Sequence, residues 1–251
     1  MERPYCVVSC HVEQPLDDRA WNAFAAFQES RPSGLAITAL LRPPDAAAGE
    51  DEELWLERAR EAAGRGPLGH HTHYVGPEHA RPAEAGPEHA ERVRREAAWF
   101  RERGLEPRFF CGGGWFIDEG VAAVLSELGY VDCTATAFRP GYLPLGASRL
   151  AGRRPTWLTQ GGARLLELPT THSIGMAFRA AFDPKPLGPL VHVYFHDTDL
   201  LSTRRRLALR TALTMLARRC ERTDLARLAD AVSGDAPERD YLAAIESASA
   251  P

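Results

Sequence analysis

Short apolar runs alternate along this chain with longer stretches of helical spacing, the pattern of stacked β-α units rather than of an antiparallel sandwich. "YCVVSC" from Tyr5 reads as a buried first strand, and "LAITALL" from Leu35 as a second that Arg42-Pro43-Pro44 ends. Between them Trp21, Phe24, Ala25 and Phe27 recur at helical spacing, and Glu52 to Ala63 is rich in helix formers before Gly64-Arg65-Gly66-Pro67 stops it. A short third strand runs from Leu68 into a histidine cluster. "PEHAERVRREAAWFRERG" has a proline at its start, acids early, arginines late and Gly104 just past its end, as capping and dipole preferences place them in a helix. "RFFCGGGW" follows as strand and tight turn, "GVAAVLSELG" as helix, and "YVDCTAT" and "RLLELPTT" as strands. "LVHVYFHDTDLL" is a last strand with a polar end, and from Arg205 onward Leu209, Ala212, Leu213, Leu216 and Cys220 share one helix face. About seven strands, most followed by a helix, predict an α/β fold, with surface loops over 43–53, 76–88 and 233–238.

At 251 residues the chain can bury a substantial core as a single domain spanning 1–251. A net charge of -4 gives no electrostatic reason to bind nucleic acid or an anionic membrane, and leaves small-molecule and glycan partners open. Nothing in it fixes an oligomeric state. The five cysteines form no CxxC pair and sit mostly in apolar runs, which favours free buried thiols over a disulfide framework. No apolar leader opens the sequence and no run approaches membrane-spanning length, so a cytoplasmic protein is expected.

In a parallel β/α barrel the carboxyl ends of the strands share one mouth, where such folds keep their sites. The predicted strand ends here carry His11 and Glu13; His70, His71 and His73; Cys111 with its glycine turn; His172; and His196, Asp197 and Asp199. In an extended segment alternate residues face the same side, so His71 and His73 can converge on one ion while His70 faces away. His11 and Glu13 share a side by the same rule. A histidine and carboxylate set of this kind suits a divalent metal such as zinc, with other first-row metals open, and catalysis needs an open coordination position.

In their order, "VVSCHVE", "LGHHTHY", "FFCGGGWFIDEGVAAVLSELGYVDCTAT", "LLELPTT" and "VYFHDTDL" resemble the motifs of the polysaccharide deacetylase family, also called NodB-like or carbohydrate esterase family 4. The resemblance covers nearly the whole chain, from Val7 to about Leu228. It implies a distorted (β/α)7 barrel and metal-dependent hydrolysis of an N-acetyl or O-acetyl group on a sugar. Carried over by position, it makes His71 and His73 metal ligands and His196 the general acid, with Asp197 or Asp199 holding the ring of His196. His11 stands where the family has an aspartate, and Glu13 is the nearest carboxylate able to reach the ion. His11 is then either the catalytic base or a third nitrogen ligand. Cys111 stands where the family has an arginine that orients the base, and cysteine offers no planar charged donor. If that role is lost, no guanidinium should lie within hydrogen-bonding distance of Glu13 or of His11.

These departures support an alternative function: a catalytically degenerate barrel that binds a glycan or partner protein without turnover. An unrelated metal amidohydrolase barrel ranks third, because its HxH pair ends the first strand and here the pair lies much further along.

Overall fold

The computed structural model describes residues 3–76, 80–143 and 146–247, so the expected loop over 76–88 falls partly outside the described residues. The elements run β1 (Tyr5–Val12), α1 (Asp18–Glu29), β2 (Ile37–Leu41), α2 (Glu52–Arg65), β3 (Leu68–Thr72), α3 (Pro87–Glu102), β4 (Phe109–Gly112), α4 (Glu119–Leu128) and β5 (Val131–Asp132). They continue through β6 (Ser148–Leu150), β7 (Thr156–Gln160), β8 (Ala163–Glu167), α5 (Ile174–Phe182), β9 (Leu190–His196), α6 (Thr203–Arg219), β10 (Glu221–Arg222), α7 (Leu225–Val232), β11 (Glu238–Asp240), α8 (Tyr241–Ala244) and β12 (Ile245–Ser247).

Seven strands, in the order β9-β1-β2-β3-β4-β5-β8, pair in parallel. The ring closes past the end of β8, where the N–H groups of Thr171 and His172 donate to the His192 carbonyl at 3.0 and 2.9 Å and Tyr194 N–H donates to the His172 carbonyl at 3.0 Å. The architecture is therefore a distorted (β/α)7 barrel. β1 shows how the sequence builds it. Cys6, Val8 and Cys10 face outward into a core shared with α1, α5 and α6, whereas Val7 joins Leu40, Phe109, Cys111, Cys133 and Leu168 inside. Burial on both faces gives the continuous apolar run. Side-chain caps fix the helix starts: Asp17 accepts from Ala20 N–H at 2.8 Å, and Asp118 from Val121 N–H at 2.8 Å.

The strands that the sequence pattern misses are β6, β7, β10, β11 and β12. They are two to five residues long, and exposed polar stretches such as Glu238–Asp240 carry no apolar alternation. One of them, β11, starts where the loop at 233–238 was expected to end. "YVDCTAT" is shorter as a strand than its composition suggests, because Asp132 turns back on its own backbone, accepting from Cys133 N–H at 2.9 Å and Thr134 N–H at 3.1 Å. All five cysteines are free and buried. No helix among the described residues is long and apolar enough to cross a membrane.

Deep inside the barrel, His192 bonds Ser9 Oγ at 2.8 Å through Nε2 and the Leu168 carbonyl at 3.3 Å through Nδ1. Burial pushes it down from 6.5 to about 4. Between those values the unfolded chain binds a proton that the folded chain refuses, so this contribution to stability is present above the window and lost as the pH falls through it. The loss reaches about 3 kcal/mol. Denaturation at neutral pH and at the lower end of the window should therefore show a steeper acid loss in wild type than in His192→Asn; equal slopes would remove His192 as the cause.

Candidate metal centre

At the mouth, the ends of three strands, β1, β3 and β9, bring their polar side chains together around one carboxylate. Glu13, just past β1, places Oε1 3.9 Å from His71 Nε2, 3.7 Å from His73 Nε2 and 3.5 Å from His196 Nε2. These spacings are long for hydrogen bonds, but two metal–ligand bonds of about 2 Å span roughly 3 to 4 Å across an ion. The donor atoms of Glu13, His71 and His73 all lie within 4.8 Å of one another. A divalent ion fits this set.

The ring of His71 is held in the form that a ligand needs. Its Nδ1 lies 2.7 Å from the Cys111 carbonyl, which can only accept, so Nδ1 carries the proton and Nε2 presents its lone pair to the mouth. Register explains the contact, since His71 pairs with Cys111 across β3 and β4. Burial opposes ionisation of Glu13, but the facing His71 and His73, then His196, outweigh it and hold the carboxyl well below its usual range. Burial first, then the charge of His73, lowers His71 against the pull of Glu13, which keeps the ring neutral.

His11 lies beneath them, its ring centroid 4.5 Å from that of His71 and 5.3 Å from that of His196, with Trp115 and Tyr194 at 5.3 and 5.5 Å. Burial, then the neighbouring His71 and His196, hold it well below its ordinary value. His196 goes the other way. Burial alone would lower it, but the facing Asp199 carboxylate and the charge of Glu13 raise it. Asp199 Oδ2 sits 3.7 Å from His196 Nδ1 and accepts from the His196 N–H at 3.0 Å, while Arg205 pairs with Oδ1 at 2.5 Å.

The structure sorts the remaining strand-end residues, with His70 facing away as alternation requires. Of the two aspartates, Asp199 meets the His196 ring; Asp197 is buried, and its carboxylate accepts from Gln14 N–H at 2.9 Å and Thr198 N–H at 2.8 Å, stitching the last strand end to the first. His172 takes part in closing the barrel and bonds Thr171 Oγ1 at 2.7 Å. His70 turns outward under α3, 2.7 Å from Glu96 and against Phe100 and Phe110. Arg42 does reach Glu13, but through Nε to the main-chain carbonyl at 3.2 Å, and its guanidinium is otherwise paired with Glu50.

Sequence reasoning missed the walls. A cleft of about 350 Å³ above the cluster is lined by Arg81, Trp115 and Tyr142 as well as by the histidines. The glycine turn is the signal for Trp115. A side chain at Gly112 would sit 1.8 Å from the Phe116 carbonyl oxygen, Gly114 adopts φ +61°, and Trp115 itself is held at φ 58°, a strained conformation for a bulky residue.

The sequence matches no family model and no curated protein. Solved structures do match. A Mycobacterium smegmatis protein assigned as a polysaccharide deacetylase aligns over 93% of this chain and 91% of its own with a TM-score of 0.63 at 14% identity. The 4-alpha-glucanotransferase of Thermococcus litoralis aligns over 96% of this chain with a TM-score of 0.56 at 13% identity, and the chain spans only 42% of that enzyme. A family 4 carbohydrate esterase from Streptomyces lividans, in complex with acetate, aligns over 88% of this chain and 91% of its own at 10% identity, with a TM-score of 0.47. The chain thus has the polysaccharide deacetylase fold, a fold that a glucanotransferase also uses.

Proposed function

We propose that this chain is a metal-dependent hydrolase that removes an acetyl group from a sugar or sugar-derived substrate. The observation that carries the reading is the set of Glu13, His71 and His73 donor atoms, two of whose residues, Glu13 and His71, line the cleft. Fold alone does not choose the reaction, because deacetylase and glucanotransferase share it; the donor set is what supports hydrolysis. Glu13, His71 and His73 would hold the ion, zinc or another first-row divalent metal, which when bound supplies carbonyl polarisation and a more acidic water.

The remaining chemistry belongs to the chain. His196, raised above its ordinary value by Asp199 and Glu13, would give its proton to the departing sugar nitrogen or oxygen as the acyl bond breaks. His11, held neutral by burial, stands where a base is needed on the inner side of the cleft. Trp115, Tyr142 and Tyr194 offer flat apolar faces of the kind on which a sugar ring packs, and narrow the access of bulk water. The test is acetate release from N-acetylated and O-acetylated glucosamine oligomers by protein loaded in turn with zinc, cobalt and manganese. Release that requires the metal supports the reading. Metal bound at one ion per chain without release from any substrate would instead favour a glycan-binding barrel, the reading supported by the absence of a carboxylate at position 11 and of a guanidinium at position 111.

A further inference from the structure

The two positions that depart from the deacetylase pattern, His11 and Cys111, are neighbours in space. Both face the barrel interior beneath the mouth, and one ring nitrogen each of His11 and His71 and Sγ of Cys111 lie within 4.8 Å of one another. All three residues are buried, with exposures of 4%, 1% and 0%. Nε2 of His11 is sealed from solvent with no hydrogen-bond partner among the described residues. Such an orphaned acceptor beside a thiol is what a ligand pair looks like before its ion arrives. The thiol lies 3.9 Å from the Gly112 carbonyl and faces the Thr134 side chain, contacts that an incoming ion can displace.

We propose that His11, His71 and Cys111 form a second metal site, an N,N,S triad lying below the Glu13, His71 and His73 set and selective for strongly thiophilic ions such as cadmium. It goes beyond the hydrolase reading and needs no turnover. Thiolate sulfur favours soft and borderline ions, whereas an ion that prefers oxygen, such as manganese, is better served by the carboxylate of Glu13. On binding, the sulfur–metal bond forms as the thiol proton leaves for solvent; the two imidazoles enter neutral and no electron is transferred. Nδ1 of His71 is committed to the Cys111 carbonyl, so Nε2 is its one coordinating nitrogen and the two sites exclude each other. The ion's softness then decides whether it settles in the open cleft or below it.

Cobalt titration of the reduced, metal-free protein reads the difference, because a cobalt–thiolate bond gives a near-ultraviolet charge-transfer band. The band is expected in wild type, in Glu13→Gln and in Cys133→Ser, and is expected to vanish in Cys111→Ser. His11→Gln, which keeps every thiol, should lose it too and guards against a Cys111 variant that fails to fold. Cadmium should displace the band, with an affinity at least about 100-fold weaker in Cys111→Ser. Absence of the band in wild type, or its persistence in Cys111→Ser, overturns the proposal. Manganese binding that depends on Glu13 and His73 but not on Cys111 reports the upper site separately, so either site can fail without the other.

Discussion

Replacing Glu13 by glutamine should weaken manganese binding at least about 100-fold while leaving the fold intact. The substitution keeps the side-chain length and one carbonyl oxygen but removes the carboxylate that, alone among the described residues, faces His71, His73 and His196 together. Glutamine also brings an amide N–H₂ group, a donor that cannot bind a cation. The lost charge matters most because a histidine nitrogen binds a cation as a neutral donor and brings no negative charge of its own. Isothermal titration with manganese measures the effect, and thermal unfolding checks the fold. Wild-type affinity in Glu13→Gln would mean that this carboxylate is not a ligand, and the assignment of the cleft as a hydrolytic centre would fall with it. Acetate release should drop in parallel. A variant that kept the ion and lost only turnover would make Glu13 a base instead of a ligand.

The barrel was legible because its strands are buried on both faces, so that segments such as "YCVVSC" and "LVHVYF" stand out as apolar runs between helices with clear caps. The pairing of His71 with His73 and the exclusion of His70 followed from alternation on one strand, and the structure places His71 and His73 ring centroids 4.9 Å apart with His70 on the far side. What lay hidden depended on contacts between strands. No pattern within "HDTD" says that Asp197 would tie down Gln14 while Asp199 takes the His196 ring; that choice is made by the turn after β9 and its approach to β1. In the same way, Cys111 reads as an isolated loss of arginine until register across β3 and β4 shows its carbonyl orienting His71. Exposed edge strands were invisible for a different reason: with no buried face, residues such as Glu238–Asp240 are free to be polar throughout.

His196→Ala should lower turnover by about 100-fold or more while the bound ion stays, the behaviour of a general acid that is not a ligand. His196 Nε2 points at the cleft 3.5 Å from Glu13, and Asp199 lies behind its Nδ1, an order of carboxylate, imidazole and substrate space that suits proton donation. The acid must be protonated to act. Because Asp199 and Glu13 raise His196 above its ordinary 6.5, activity should persist to a higher pH than a free histidine allows and fall as the pH rises through the raised value. Asp199→Asn removes one of those charges, so the alkaline limb of the pH–rate profile should move to lower pH, with manganese affinity unchanged. A merely structural Asp199 would lower the rate at every pH without moving that limb. Loss of metal together with activity in His196→Ala would make His196 a ligand, completing a three-histidine set around Glu13, and unchanged turnover would take it out of the mechanism altogether.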